Sequence, residues 1–231
     1  MYKKLILIAG PTASGKSKLA IKLAKELNGE IINADSMQIF REFNILSSRP
    51  SSNDIKKIKH HLYGFISARE HFSAGDWLKQ AAKKINICLK KKKIPIIVGG
   101  TGLYFNTINK GISKIPNIDI KTRNQVRNLY KNIGIKKFYD RLLKLDPKIK
   151  GKISPTDVQR LQRAFEVKLK TKKSLIDWFQ NTKSDFLNFE IRKIFIDTPR
   201  DVLLEKISKR TDLMFKRKCI NEVKKFNKLK V

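Results

Sequence analysis

Cysteine is scarce in this chain of 231 residues: Cys88 and Cys219 are the two, far apart and without a paired neighbour. That excludes a disulfide framework and a cysteine zinc site, and it suits a reducing, cytoplasmic compartment. Histidine is scarce as well, with three residues. The adjacent pair His60-His61 lacks metal-ligand spacing, so a structural or ligand-contacting histidine is expected there instead of zinc. Long apolar runs are missing, which excludes a membrane span and gives no membrane partner. The N-terminal Met1-Tyr2-Lys3-Lys4 leads into an apolar run too short for a secretory core, so no signal peptide is expected. Acidic residues are heavily outnumbered, 20 against 52 Lys and Arg, for a formal charge of +32. Such a surface suits a polyanionic partner such as a nucleic acid. An AT-rich genome, which favours Lys, Ile and Asn, would produce the same excess without a binding role. The 41% of hydrophobic residues suffices for one sizeable core, or a core and a small subdomain.

What is present is organised around one stretch. Leu5 to Ala9 is a short apolar run, and Leu19, Ala20, Leu23, Ala24 and Leu27 recur at helical spacing. Between them lies Gly10-Pro11-Thr12-Ala13-Ser14-Gly15-Lys16-Ser17. This fits G-x-x-x-x-G-K-[ST], the phosphate-binding P-loop, in its required strand–loop–helix setting. Gly10 and Gly15 let the backbone turn and approach a phosphate closely. Loop N–H groups and the helix N-terminus face the anion. Lys16 adds a positive charge over the phosphates, and Ser17 can offer its hydroxyl to Mg²⁺.

Further along, Glu30 to Ala34 is a predicted strand that ends at Asp35-Ser36-Met37-Gln38. Ligands of open parallel sheets sit beyond the carboxyl ends of strands, which puts Asp35 on the P-loop's rim. There it could hold Mg²⁺ through water, take a proton from a nucleophile, or merely cap a helix. Ser52, Asn53 or Asp54 would cap a short helix. Ser73, with Asp76 three residues on, opens a helix carrying Trp77, Ala81, Ile85 and Cys88 on one face. Trp77 is expected in the core, and Lys90 to Lys93 is expected as a solvated helix end. Ile94 to Val98 is apolar throughout, hence a buried strand, and it runs into Gly99-Gly100-Thr101-Gly102-Leu103-Tyr104. Ile112 to Glu190 carries helical stretches interrupted by Pro116, Pro147 and Pro155. Ser154-Pro155 is expected to begin a helix bearing Gln159, Arg160 and Arg163, either an exposed basic face or an RNA contact. Ile191 to Asp197 returns as a strand, Thr198 to Asp201 caps another helix, and a basic helical tail follows from Lys216. The expected fold is therefore α/β: a P-loop NTPase-like parallel sheet flanked by helices, with a mostly helical insertion. The expected divisions are a core over 1–111, an insertion over 112–190 and a return to the core over 191–231.

Together these motifs resemble one family. Gly10 to Ser17, Asp35-Ser36-Met37-Gln38, His60-His61-Leu62, Phe72-Ser73-Ala74, Gly99 to Tyr104, and Asp157-x-x-Arg160-x-x-Arg163-Ala164-x-Glu166 occur in the order seen in the tRNA dimethylallyltransferases. The resemblance spans essentially the whole chain. It implies transfer of a dimethylallyl group from dimethylallyl diphosphate to N6 of adenine 37, in tRNAs that read codons beginning with U. It implies Mg²⁺ as cofactor and the tRNA anticodon stem-loop as partner of a monomeric, cytoplasmic enzyme. Residues 10–17 would hold the diphosphate, with Lys16 on its oxygens and Ser17 on the metal. Asp35 would be the general base, and Thr101 would sit near the leaving oxygen and the target nucleotide. Asp35, Ser36, Met37, Gln38, Thr101, Arg123, Gln159, Arg160, Leu161, Gln162 and Arg163 would touch the tRNA. Members of the family commonly continue for several more helices, with further tRNA contacts, after the region near Arg210; this sequence ends at Val231.

The P-loop alone leaves two other readings open. A small-substrate kinase or ATPase would share residues 10–17, with Asp35 as a metal or substrate carboxylate, although no clear apolar run ending in Asp is expected beside the P-loop strand: the strand at Ile94 ends in Gly99, and Asp197 comes late. A tRNA-binding remnant without turnover would share the charge.

Overall fold

A computed structural model describes residues 3–180 and 182–229. The chain folds as two compact units, Met1–Asn109 with Asp185–Val231, and Lys110–Ser184.

The first unit is built on five strands: β1 (Lys3–Ala9), β2 (Gly29–Asn33), β3 (His60–His61), β4 (Ile94–Gly99) and β5 (Phe189–Phe195). They lie in the order β3-β2-β4-β1-β5, and every pairing is parallel. Parallel neighbours need crossovers, and the chain supplies them through α1 (Lys16–Glu26), α2 (Ser52–Lys57), α3 (Ala74–Lys90) and α4 (Gly102–Lys110). The apolar strands are covered on both faces. Leu5, Leu7, Ile32 and Ile97 pack with Trp77, Ala81 and Ile85 of α3. Ile6, Ile8, Ile31, Ile96 and Val98 turn the other way, onto Ala20 and Ala24 of α1. This is the period-two alternation of a strand with both faces apolar. Ile97 is fully buried, so cutting it to Ala costs about 2–5 kcal/mol.

The helical unit holds α5 (Ile120–Leu145), α6 (Val158–Thr171) and α7 (Leu175–Gln180). Its own core gathers Phe138, Leu142, Leu161, Phe165 and Val167. α5 is interrupted at Gly134, where φ is 71°. The chain then returns through β5, α8 (Arg200–Lys216) and α9 (Cys219–Asn227).

Several local expectations need correction. The cap of α2 is Ser51, which accepts from the Asp54 N–H while Asp54 accepts from the Ser51 N–H. This reciprocal box satisfies donors that Ser52 or Asn53 would have left free. α6 begins after Asp157, whose side chain accepts from the Arg160 N–H, so Ser154-Pro155 is the turn before the helix and not its start. α8 follows Pro199 with no side-chain cap. The returning strand opens at Phe189, two residues ahead of Ile191.

Lys93 is also not merely solvated. It lies 3.1 Å from Oε1 of Glu30, a carboxylate whose side chain is 2% exposed. The same carboxylate takes His61 Nε2 at 2.6 Å through Oε2. Burial pushes the Glu30 carboxyl up, but the hydrogen bonds and charges of His61 and Lys93 outweigh it and leave it below the usual carboxylate range. Burial raises the Cys88 thiol to about 12, helped by Glu30, so this sulfur is a neutral donor 3.6 Å from the carboxylate. His61 is thus a structural histidine that spends its ring nitrogen inside the fold.

Candidate active site

The loop between β1 and α1 bends because Gly15 takes a left-handed φ of 91° where α1 begins. Lys16 Nζ reaches back to the Pro11 carbonyl at 2.5 Å. Ser14 Oγ is buried and has no hydrogen-bond partner among the described residues. Loop residues Thr12 to Ser17 line a cavity of about 280 Å³.

Asp35 and Gln38 line the same cavity. Asp35 leaves the end of β2, and its placement rests on Asn33, which is fully buried. Asn33 Oδ1 accepts the Asp35 N–H at 2.9 Å, and Asn33 Nδ2 donates to the carbonyls of Asp35 and Leu62, both at 3.0 Å. The Trp77 indole donates to the Asn33 carbonyl at 2.8 Å. Every polar group of Asn33 named here is therefore engaged in holding the turn. Asp35 Oδ1 accepts the Met37 N–H at 2.9 Å. Its other oxygen, Oδ2, makes no hydrogen bond among the described residues and lies 3.9 Å from a Cβ built on Gly100.

The β4–α4 loop closes on this turn from the neighbouring strand. Thr101 Oγ1 accepts the Ser36 N–H at 2.9 Å and donates to Ser36 Oγ at 3.3 Å, while the Thr101 N–H donates to the Ala34 carbonyl at 3.1 Å. Gly99 makes that contact possible: a Cβ there would stand 2.0 Å from the Ala34 carbonyl oxygen. Met37 is 55% exposed. Gln38 donates from Nε2 to the carbonyls of Ser47 and Ser48, at 2.8 and 3.0 Å.

The cavity wall also carries Arg210 of α8. Burial draws the Arg210 guanidinium below its ordinary value, and the nearby Asp35 carboxylate pulls it back up. Burial likewise lowers Lys16, against the pull of Asp35 and with the push of Arg210. Two cations are thus gathered with one carboxylate and a P-loop. An anion entering here would relieve the repulsion between Lys16 and Arg210 and favour their charged forms. Tyr104, stacked on Trp77 at 4.3 Å between ring centroids, is raised to about 12 by burial and by Asp35. It remains a neutral phenol.

The helical unit carries the other candidates. Arg160 pairs with Asp157 at 3.4 Å and Arg163 with Glu166 at 3.5 Å. The basic face is therefore partly neutralised along its own helix. Gln159 and Arg160 are exposed, and Gln162 and Arg163 half-buried. Leu161 is the exception: its side chain is fully buried in the helical core, which leaves only its backbone to meet a polyanion. Arg123 is half-buried, and its Nε has no hydrogen-bond partner among the described residues.

A family profile described as IPP transferase matches residues 38–230. The chain belongs to the IPP transferase family. It is 55% identical over 228 residues to a tRNA dimethylallyltransferase of Pelagibacter ubique, an alignment covering 99% of this chain and 73% of that protein. A tRNA dimethylallyltransferase of Rickettsia massiliae is 42% identical, covering 96% of this chain and 61% of the relative. Among solved structures, a eukaryotic dimethylallyltransferase acting on tRNA superposes with a TM-score of 0.86 at 30% identity, over 98% of this chain and 56% of that one. The full-length tRNA isopentenylpyrophosphate transferase of Bacillus halodurans gives a TM-score of 0.64 at 31% identity, over 98% and 70%. The α/β fold with its parallel sheet is that of the IPP transferases.

Within this IPP transferase, sequence reasoning missed Arg210. It sits in a helix rich in Lys and Arg that buries no residue, so nothing in its neighbourhood marks it as different. The signal is spatial: its Nε is buried without a hydrogen-bond partner among the described residues, in the field of Asp35 and Lys16.

Proposed function

We propose that this chain transfers a dimethylallyl group from dimethylallyl diphosphate to N6 of adenine 37, next to the anticodon of tRNAs reading codons that begin with U. The observation that carries this reading is the sharing of one cavity by the P-loop, Arg210 and Asp35. The reaction creates two needs, and the cavity has groups for both. The bond between the allyl carbon and the diphosphate oxygen breaks while the N6–carbon bond forms, and negative charge accumulates on the leaving diphosphate. Lys16, Arg210 and the backbone N–H groups of residues 12–17 stabilise that charge. An aromatic amine is a weak nucleophile, and its proton must leave as the bond forms. Asp35 accepts it through the free Oδ2, as general base. Thr101 holds Ser36, the residue after this carboxylate, and in this reading meets the target nucleotide.

The donor set fits a divalent ion: Ser17 is exposed at the cavity, Ser14 Oγ is a buried oxygen without a hydrogen-bond partner among the described residues, and Asp35 supplies a carboxylate. Mg²⁺ held by Ser17 would neutralise diphosphate charge.

A base stacked in an anticodon loop is out of reach, so adenine 37 is flipped outward to meet Asp35. The tRNA is met by Asp35, Ser36, Met37, Gln38 and Thr101 in one unit, and by Arg123, Gln159, Arg160, Gln162 and Arg163 in the other. The formal charge of +32 supports a phosphate-backbone partner whose affinity falls steeply with salt. The chain acts as a cytoplasmic monomer in this reading.

The test is an assay of the purified chain with Mg²⁺, dimethylallyl diphosphate and unmodified tRNA carrying A36-A37-A38. N6-(dimethylallyl)adenosine should appear in the digested nucleosides, and Asp35→Ala should abolish it while leaving tRNA binding near its original strength. Binding without product would overturn the reading in favour of a tRNA-binding protein. Phosphate release from ATP without prenylation would overturn it in favour of a P-loop kinase or ATPase.

A further inference from the structure

We infer that Glu222 of α9 is a positioning residue for the Asp35–Gln38 turn, acting through the loop over residues 43–48. Its carboxylate accepts three consecutive backbone N–H groups. Oε1 takes those of Asn44 at 3.1 Å and Ile45 at 2.8 Å; Oε2 takes Ile45 again at 3.0 Å and Leu46 at 3.1 Å. Successive N–H groups that converge on one point form an anion nest, and here the anion is supplied by the chain itself. A carboxylate accepting several N–H bonds is a strong tether, because each bond is charge-assisted.

The next links run toward the cavity. The Ser48 N–H donates to the Ile45 carbonyl at 3.0 Å, and the Arg49 N–H to the Asn44 carbonyl at 3.1 Å, so the turn held by Glu222 fixes the residues after it. The carbonyls of Ser47 and Ser48 then receive the Gln38 amide. Gln38 and Ser48 both line the cavity that contains Lys16 and Asp35.

Two further contacts, together with the burial of Cys219, bring α9 and the residue Leu229 after it to this region. Phe226 packs against Phe43 with ring centroids 4.9 Å apart, Cys219 is 3% exposed, and Arg69 donates to the Leu229 carbonyl. None of these would fix the backbone of 44–46 as the carboxylate does. α9 buries one residue, Cys219, and leaves Ile220 and Val223 exposed. Glu222 is the acid of α9, and its carboxylate makes the hydrogen bonds from this helix to the backbone of 44–46.

This inference rests on the proposed prenyl transfer for its kinetic consequence and on geometry alone for its structural one. The experiment measures both on the full chain, comparing the parent, Glu222→Gln, Glu222→Ala, Glu222→Asp and the control Asn221→Ala. Amide hydrogen exchange reads residues 44–46 and the Asp35–Gln38 turn. Steady-state prenylation of tRNA reads kcat and KM, scaled to the folded fraction.

Glu222→Ala should speed exchange at 44–46 and at the turn, and lower kcat about ten- to a hundredfold, the scale of a sub-ångström to one-ångström misplacement of a catalytic group. KM for dimethylallyl diphosphate should move less than about threefold, because Lys16 and Arg210 are untouched. Glu222→Gln, of equal size, should show the same pattern more mildly. Glu222→Asp should recover part of kcat, and Asn221→Ala should match the parent. The inference is overturned if 44–46 stay protected in both Glu222→Ala and Glu222→Gln. It is equally overturned if exchange speeds while kcat per folded molecule stays within twofold of the parent, since Glu222 would then serve stability alone. A parent without prenylation activity would instead count against the proposed function, and the exchange result would still decide whether Glu222 holds the loop and the turn.

Discussion

The Ser36 N–H donates to Thr101 Oγ1 at 2.9 Å, joining the turn after β2 to the loop after β4 across 65 residues of sequence. The bond ties together two loops that leave adjacent parallel strands. Replacing Thr101 by Val keeps the shape and removes the acceptor, so Ser36 loses its tether and the turn after Asp35 loosens, while Asn33 still holds the Asp35 backbone. Prenylation kcat should fall about ten- to a hundredfold with little change in melting temperature. Thr101→Ser, which restores the oxygen, should recover most of it. A Thr101→Val enzyme with parental kcat would remove this bond from the account of the site.

Arg210 and Lys16 stand in one cavity, and both are drawn below their ordinary values chiefly by burial. If they hold the diphosphate, each should contribute to donor binding. Arg210→Gln should raise KM for dimethylallyl diphosphate at least about tenfold, the scale of one charge-assisted bond of about 1.5–3 kcal/mol. The affinity for tRNA should change much less. Inorganic diphosphate as a competitive inhibitor provides an independent reading, and its inhibition constant should rise in parallel. Donor KM unchanged in Arg210→Gln would detach α8 from the phosphate site.

Trp77 and Asn33 link the core to the chemistry. The indole N–H is the partner of the Asn33 carbonyl, and Asn33 in turn holds Asp35. Trp77→Phe leaves the Asn33 carbonyl without its donor in a fully buried place, at a cost of about 1–3 kcal/mol. It also opens a small cavity against Tyr104. The melting temperature should drop by about 2–4 °C for each kcal/mol lost, read by calorimetry. A melting temperature equal to the parent's would show that water replaces the indole without cost.

The legible part of this architecture was the part governed by local rules. Leu5–Ala9, the Gly-bounded loop and the α1 periodicity follow from short-range sequence, as does the Ser73–Asp76 box that opens α3. The Asp35–Gln38 and Gly99–Tyr104 stretches could be placed at strand ends by a topological rule. What lay beyond reach depends on tertiary neighbours. β3 is two residues long, too short for any periodic signal, and exists because β2 offers it an edge. Lys93 looked solvated because Glu30, its partner, is more than sixty residues away in sequence. Arg210 and Glu222 each lie in helices whose composition announces only surface, and their partners are loops from the other end of the chain. Leu161 shows the converse. The spacing of Gln159, Arg160 and Arg163 points to an exposed basic face or an RNA contact, while Leu161's own position on α6 faces inward.

The buried pair His61–Glu30 should make stability depend on pH. Burial holds His61 below its ordinary value of 6.5, against the pull of the Glu30 carboxylate and with the push of Lys84 and Lys59. The unfolded chain frees the imidazole to its ordinary value, so as pH falls through about 6.5 the unfolded state takes up a proton before the folded state does. Stability is therefore fully present above that value and declines below it. Glu30 acts in the same direction at lower pH: its folded carboxyl lies below the ordinary 4.5, so its contribution is lost as pH drops beneath that value. Urea unfolding at pH 7.5, 6.5 and 5.5 should give a stability that decreases steadily. In His61→Gln the side-chain amide can still donate to Glu30 but cannot titrate, so the slope between pH 7.5 and 5.5 should flatten even if the protein is less stable overall. An equally steep slope in that variant would assign the pH dependence to other groups.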